Sequence, residues 1–118
     1  ENQLLLTRDG MIWFWDHSLP DPSLRTQPDA SPLHTENLSG LPPAVIITAE
    51  HDVLRDEGEA YSSRLQEADV PVDIQRIAGQ MHGFFTLLLL QGSELGFQHI
   101  VKAVKASIFS TSKAQAAK

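Results

Sequence analysis

The sequence has 118 residues, with 9 Lys or Arg and 15 Asp or Glu, so its net charge at pH 7 is −6 (9 − 15). Hydrophobic residues make up 42% and charged residues 20%, a composition typical of a folded globular chain rather than a disordered one. The chain has no cysteine, which excludes disulfides, thiolate metal sites and a cysteine nucleophile. The redox compartment therefore stays open, and the cytoplasm is taken as the default location.

The charge pattern and the apolar runs argue against two classes of partner. The basic residues are scattered singly through an acidic chain, which lacks the basic footprint of a nucleic-acid-binding protein. The apolar runs, such as residues 87–90, are far shorter than the roughly 20 residues that a membrane-spanning helix needs. We therefore expect no nucleic-acid partner and no membrane span.

The first predicted element is a helix over residues 8–19. Thr7 is suited to cap it, and Asp9 in its first turn would complement the helix dipole. The apolar residues near helical spacing are Met11, Ile12, Trp15 and Leu19. We expect the aromatic cluster at residues 13–15 to pack in a core, with a substrate wall or an exposed partner surface as alternatives. Pro20 is expected to stop the helix.

A long connection then leads to a strand. Residues 20–43 contain six prolines, and a connection of this length without secondary structure is uncommon inside a compact domain. Residues 44–49 form a continuous run that is mostly apolar and β-branched. Such a run is typical of a strand that is buried on both faces of a parallel sheet.

A second helix follows this strand. Asp56 is suited to cap it, and Glu59, three residues later, completes the pattern of a capping box. The buried stripe of this helix is predicted at Tyr61, Leu65 and Ala68. Pro71 is expected to end the helix.

The remaining elements are a second strand and a final helix. Residues 72–77 alternate apolar and polar side chains, which predicts an edge strand. Gly79 and Gly83 are expected to bracket a loop that contains His82. A helical stripe then follows at Phe97, Val101, Val104 and Ile108. Residues 110–118 are small and polar, and we expect them to form a disordered tail.

This order of elements predicts an α/β fold. Two strands joined by a helix form a right-handed βαβ unit. Parallel sheets are covered on both faces and contain more than two strands, so these strands are predicted to be the edge of a doubly wound sheet.

Asp52 and His82 are the candidate catalytic residues. Each lies just past the carboxyl end of a predicted parallel strand, and this edge is where sites form in open α/β sheets. An Asp that accepts the Nδ1 proton of a His orients the imidazole as a general base and stabilises its charged form. The alternative is that Asp52 is only a turn residue and His82 only a loop residue.

The other polar side chains have simpler interpretations. The remaining histidines are assigned surface or structural roles: His17, His34, His51 and His99. They show no metal-ligand spacing, so we expect neither a metal nor a cofactor. Asp56 and Glu57 could support the acid loop, but capping and the helix dipole already explain them. Ser62 lies on a helix without a nucleophile signature. Residues 87–90 could pack under other parts of the domain or approach a substrate.

Four segments together resemble the hormone-sensitive-lipase-like branch (fold-3) of the α/β-hydrolase fold. Residues 41–58 (LPPAVIITAEHDVLRDEG) resemble the segment that bears its catalytic acid, and residues 79–84 (GQMHGF) resemble its histidine segment. Residues 13–20 and 31–33 are similar to the region upstream. The segments follow the order of the family and cover nearly the whole chain. Position 53 departs from the pattern, with Val where Pro is usual.

The resemblance implies a serine carboxylesterase or lipase-like hydrolase in which Asp52 is the orienting acid and His82 the general base. The sequence contains no G-x-S-x-G nucleophile motif and no H-G-G-G-type oxyanion segment, both of which precede this region in the family. Residues 1–109 are therefore expected to be the incomplete C-terminal portion of the domain, holding its last two parallel strands.

The expected partners are an ester substrate in the complete protein and the missing N-terminal half. Alone, the chain is expected to be inactive. The alternative function is a non-catalytic interaction module or a pseudoenzyme remnant of the same fold.

Overall fold

A computed structural model describes residues 5–87 and 89–115, with side chains described as far as residue 106. The helices and strands are, in chain order, α1 (Arg8–Ser18), β1 (Ala44–His51), α2 (Arg55–Glu67), β2 (Val72–Met81) and α3 (Gln91–Gln115). Short 3-10 helices lie in the connections, at Pro22–Leu24, Pro32–His34 and Phe84–Thr86. Among the helices described, none is long and apolar enough to cross a membrane.

Strands β1 and β2 form a parallel sheet, as the apolar pattern predicts. Their pairing runs in register from Ala44 opposite Val72 to Ala49 opposite Ile77. Helix α2 connects the two strands, so the β1–α2–β2 unit is confirmed as part of an α/β sheet. This arrangement brings the carboxyl ends of both strands to one edge of the sheet.

Among the residues described, buried apolar side chains form two clusters. Leu38, Leu65 and Val70 form the first, against which Tyr61 and Ala68 pack. The predicted stripe of α2 is therefore confirmed. Leu38 comes from the long connection, so this proline-rich segment contributes to the core although it has only 3-10 structure. The second cluster lies near the strand ends and comprises Ala49, Ile77 and Phe84.

Helix α1 begins as predicted but does not pack in the core. The Thr7 side chain accepts a hydrogen bond from the Gly10 N–H at 3.1 Å. None of the α1 residues is buried, and the Trp13 side chain is 56% exposed. Within this chain, Trp13 and Phe14 therefore match the exposed alternative rather than the expected core cluster. The Trp13 ring stacks instead on the His17 ring of the same helix, at 4.0 Å between centroids.

The capping box predicted at Asp56 is absent, because an earlier aspartate makes the turn into α2. The helix begins at Arg55, which places Asp56 inside the first turn, and Leu54 is the N-cap residue. Asp52 Oδ1 accepts the Leu54 N–H at 2.9 Å. Glu59 is consequently free of any capping role and pairs with Arg76 on the neighbouring strand.

Helix α2 also ends before the predicted stop. It ends at Glu67, four residues before Pro71. Asp69 has a left-handed backbone with φ 59°, and the Val70 N–H donates to the Leu65 carbonyl at 3.0 Å. This is a Schellman motif, which satisfies the terminal carbonyls of the helix. The helix stop is therefore the motif centred on Asp69, and not the proline.

Helix α3 is longer than the sequence pattern predicts. It continues to Gln115, so the backbone of residues 110–115 is helical where a disordered tail was expected. No Gly or Pro follows Gly96, so the sequence contains no residue that would interrupt the helix. Residues 116–118 and Leu88, as well as the side chain of Ile108, lie outside what the structure describes. The proposed boundary at residue 109 stays a prediction.

Candidate active site

Asp52 lies directly after β1 and is fixed by the turn into α2. Its Oδ1 accepts the Leu54 N–H at 2.9 Å, and its carbonyl accepts the Arg55 N–H at 3.2 Å. The side chain is only 13% exposed. Oδ1 is thus hydrogen-bonded to the local backbone, whereas Oδ2 is directed toward the end of the neighbouring strand β2.

His82 lies directly after β2 and meets Asp52. The distance from its Nδ1 to Asp52 Oδ2 is 2.9 Å, and the imidazole is 40% exposed. An ionised carboxylate only accepts hydrogen bonds, so this contact requires the proton on Nδ1. That tautomer leaves the lone pair on Nε2, the nitrogen that could accept a proton from a reacting group. The structure therefore brings together the two site residues predicted from the sequence.

Strand β2 extends to the residue before His82, which corrects the expected loop. Gly79 lies inside the strand, and pairing resumes with His51 opposite Met81. From Ala49 to His51 is two steps (51 − 49), whereas from Ile77 to Met81 is four (81 − 77), so β2 contains two additional residues. Gly79 adopts φ 69°, a backbone conformation that glycine takes without strain.

Glu50 contacts this irregular part of β2 from β1. Its Oε2 accepts the Gly79 N–H at 2.7 Å, across 29 residues of sequence. This hydrogen bond lowers the pKa of the Glu50 carboxyl from its ordinary value of 4.5. Sequence reasoning did not identify Glu50 as part of the site. The only available signal was its position two residues before the candidate acid.

A second contact outside the sequence-based prediction holds the turn after His82. Gly83 has φ 75° and precedes the 3-10 helix at Phe84–Thr86. Ser93, at the start of α3, is 1% exposed. Its Oγ lies 2.5 Å from the Phe84 carbonyl and 2.9 Å from the Leu87 carbonyl. Ser93 therefore connects the turn that follows His82 to α3.

Arg55 links the acid turn to its surroundings. Its Nη1 donates to the Glu50 carbonyl at 2.5 Å, and its Nε donates to Asp56 Oδ1 at 2.8 Å. Asp56 is thus placed to hold an arginine that braces the end of β1. Glu57 is exposed on α2.

Three of the other histidines contact groups outside the Asp52–His82 pair, and His34 is exposed. His17 Nδ1 lies 2.8 Å from the Trp13 carbonyl, and His99 Nε2 lies 3.0 Å from Asp73 Oδ1. His51 Nε2 is 3.8 Å from Glu50 Oε2. Within the residues described, no group of three or more His, Cys, Asp or Glu side chains could hold a metal ion.

Comparison with known proteins identifies the family to which this chain belongs. A family model described as alpha/beta hydrolase fold matches residues 1–86. The carboxylic ester hydrolase LipN of Mycobacterium tuberculosis is 39% identical over 109 residues, which cover 91% of this chain and 29% of LipN. The Pyrobaculum calidifontis esterase has a similar structure, with a TM-score of 0.83 and 37% identity over 88% of this chain and 34% of the esterase.

A third relative, the carboxylesterase EstE1 from a metagenomic library, gives a TM-score of 0.85 and 31% identity. The match covers 90% of this chain and 36% of EstE1. The chain therefore belongs to the alpha/beta hydrolase fold family, in its hormone-sensitive-lipase-like branch. It spans about a third of the length of each of these relatives.

Proposed function

We propose that Asp52 and His82 are the acid and the general base of a serine carboxylesterase that acts on small-molecule esters. The observation that carries this proposal is the 2.9 Å contact between His82 Nδ1 and Asp52 Oδ2. Two further features support it. The pair sits where two parallel strands end, which is the edge at which α/β sheets bind ligands. Several similar proteins are also named as ester hydrolases or esterases.

The proposed roles follow from the chemistry of the pair. His82 Nε2 takes the hydroxyl proton of a serine while the serine oxygen bonds to the ester carbonyl carbon. The resulting imidazolium is stabilised by Asp52 and returns the proton to the departing alcohol. Water then repeats the sequence on the acyl-enzyme and releases the carboxylic acid. Each proton that His82 accepts is thus given back within the same half-reaction.

The nucleophile and the oxyanion-hole donors are proposed to come from residues outside this sequence. The 118 residues contain no G-x-S-x-G motif and no H-G-G-G-type segment, and in this fold the serine precedes the acid and the histidine. We therefore propose that the chain works as the C-terminal part of a larger hydrolase domain and is inactive alone, because without a nucleophile the pair has no proton to transfer.

A hybrid enzyme tests the catalytic pair. The matching third of the Pyrobaculum calidifontis esterase is replaced by this chain, which is supported by the TM-score of 0.83. The hybrid should hydrolyse p-nitrophenyl acetate, and Asp52→Asn and His82→Ala should each lower kcat at least about a thousandfold. Glu67→Ala, at an exposed position on α2, is the matched control. An active hybrid that tolerates His82→Ala would contradict the proposal.

The 118-residue chain alone tests the need for an external serine. We expect it to release p-nitrophenol no faster than its His82→Ala variant, with no sensitivity to a serine-reactive fluorophosphonate. A rate of p-nitrophenol release that exceeds that of His82→Ala and is blocked by the fluorophosphonate would contradict this proposal. An inactive hybrid that folds and melts cooperatively would favour the non-catalytic module instead.

A further inference from the structure

The contact between Glu50 and Gly79 fills a gap in the pairing of β1 with β2. The ladder pairs Ala49 with Ile77 and then His51 with Met81, and it forms no pair at Glu50 or Gly79. The Gly79 N–H therefore has no place in the regular ladder and donates instead to the Glu50 carboxylate at 2.7 Å. A side chain here supplies the acceptor that a regular strand backbone would supply.

The gap lies immediately before His82, where an error in register has the largest effect. One residue of strand advances the chain by about 3.3 Å. A slip of the additional residues by one position would therefore move His82 by more than the 2.9 Å that separates it from Asp52 Oδ2. The catalytic contact thus requires the two additional residues to occupy one fixed arrangement.

We propose that Glu50 is a positioning residue, which fixes the irregular segment around Gly79 and thereby holds His82 against Asp52. This inference rests on the proposed function of the Asp52–His82 pair. Glu50 is well placed for the role because its backbone is itself braced by Arg55 Nη1, at 2.5 Å from the Glu50 carbonyl. Glu50 therefore connects the turn that holds Asp52 to strand β2, which ends directly before His82.

The electrostatic surroundings of Glu50 favour its charged form. The Gly79 N–H makes the main contribution to the lowered pKa of Glu50, partial desolvation opposes it, and His51, Arg76 and Arg55 add smaller attractive contributions. Hydrogen bonds to a charged acceptor are stronger than those between neutral groups. The side chain is 43% exposed, so its removal is expected to loosen the local contact rather than to unfold the chain.

Two variants of similar length separate the acceptor from the rest of the side chain. Glu50→Gln keeps an oxygen for the Gly79 N–H, whereas Glu50→Met keeps the stem and removes the oxygen. In the 118-residue chain, amide hydrogen exchange at Gly79 should accelerate about tenfold in Glu50→Met and less than about threefold in Glu50→Gln. The His82 Nδ1 proton resonance should weaken or disappear in Glu50→Met and persist in Glu50→Gln.

The same variants in the hybrid esterase give a kinetic measurement. Glu50→Met should lower kcat about tenfold, since the base is misplaced, with KM within about twofold, and Glu50→Gln should restore most of the rate. Unchanged Gly79 exchange or an unchanged His82 resonance in Glu50→Met overturns the proposal. Equal damage from Glu50→Gln also overturns it, as does loss of the fold in Glu50→Met, which would assign Glu50 a structural role.

Asp52→Asn distinguishes failure of this inference from failure of the proposed function. It should remove the His82 Nδ1 resonance and leave Gly79 exchange unchanged, because Gly79 donates to Glu50 and not to Asp52. A His82 resonance that survives Asp52→Asn would contradict the proposed pair. A resonance that is lost in Asp52→Asn but retained in Glu50→Met would overturn only the role of Glu50.

Discussion

The two helices that lie against the sheet differ in how much apolar surface they bury. Helix α2 buries Leu65 to 2% exposure, against Leu38 and Val70. Helix α3 leaves Leu95 58% and Val101 47% exposed. A groove of about 490 Å³ is lined by residues of both α3 and β2. The free energy of packing is therefore concentrated on the α2 side, whereas α3 is attached by a few specific contacts.

The difference has a cause in the sequence. The apolar stripe of α2 faces a cluster that the chain itself completes with Leu38 from the long connection. Helix α3 directs a polar residue, His99, toward Asp73 of β2. The described residues that α3 buries are small ones, Gly92, Ser93 and Gly96. The Phe97 ring meets Phe85 edge-on at 5.0 Å but stays 43% exposed. An apolar stripe in a sequence thus predicts a helix more reliably than it predicts what covers that stripe.

The largest effect is expected from truncating the centre of the α2 cluster. Leu65→Ala removes a side chain that is 2% exposed and leaves a cavity beside Val70, so it should lower the free energy of unfolding by about 3 kcal/mol. Urea unfolding monitored by circular dichroism measures the change. A loss below about 1 kcal/mol would show that the cluster collapses around the deletion or is not well packed.

A smaller effect is expected where α2 binds the long connection. Arg64 donates through Nη2 to the Thr35 carbonyl at 2.7 Å and through Nη1 to the Leu33 carbonyl. Arg64→Met keeps the apolar stem and removes both hydrogen bonds, and should cost about 1–2 kcal/mol. The same urea titration measures the loss, with Arg8→Met on exposed α1 as the control. Equal effects of the two variants would contradict a role for Arg64 in holding the connection.

The sequence predicted the fold correctly for the elements whose apolar residues are buried by other parts of this chain. The run at residues 44–49 and the stripe containing Leu65 gave β1 and α2. The spacing of the apolar residues Met11, Ile12, Trp15 and Leu19 predicted helix α1 but not its surroundings, because periodicity carries no information on which surface lies opposite the helix. The predicted N-cap at Asp56 was wrong because Asp52 makes the hydrogen bond in the turn that precedes α2. Spacing alone does not show which of two aspartates four residues apart will make it.

The candidate site was predictable only for the residues that carry its chemistry. Asp52 and His82 were identified because each lies near the end of a predicted parallel strand, and because the segments around them resemble the acid and histidine segments of a known family. Glu50 and Ser93 were missed. Their hydrogen bonds reach Gly79 and the Phe84 carbonyl, and depend on an irregular strand and a tight turn that leave no periodic pattern.

The ion pair between α2 and β2 is expected to have a modest, pH-dependent effect. Glu59 accepts Arg76 Nε at 2.7 Å and Nη2 at 2.5 Å, and these hydrogen bonds hold the pKa of Glu59 below its ordinary value of 4.5. The pair therefore stabilises the fold above about pH 4.5, and this contribution is lost as the pH falls through the lower folded-state pKa.

Glu59→Gln should accordingly reduce stability at pH 7 and converge with the unsubstituted chain in acid. Urea midpoints at pH 7, 4.5 and 3 measure this convergence, with Glu67→Gln at an exposed position as the control. A difference that stays constant over this pH range would show that Glu59 acts through packing or through Thr48, whose hydroxyl it accepts at 3.1 Å, rather than through its charge.

The smallest effect is expected on the exposed stripe of α3, where Val101→Ala is the counterpart of Leu65→Ala. Val101 is 47% exposed, so truncation removes little buried surface, and alanine is about 0.5 kcal/mol better than valine in a helix. The two contributions oppose each other, and the net change should lie within about 0.5 kcal/mol of zero.

Suppose that Val101→Ala destabilises the fold by more than about 1 kcal/mol, and by more at higher protein concentration. That result would contradict the exposure of the α3 stripe in solution. Association stabilises a fold by an amount that rises with the logarithm of the partner's concentration, so that result would show that a second copy covers the stripe in solution. Measurements of Val101→Ala at two protein concentrations a hundredfold apart therefore decide whether the contrast between α2 and α3 is a property of the isolated chain.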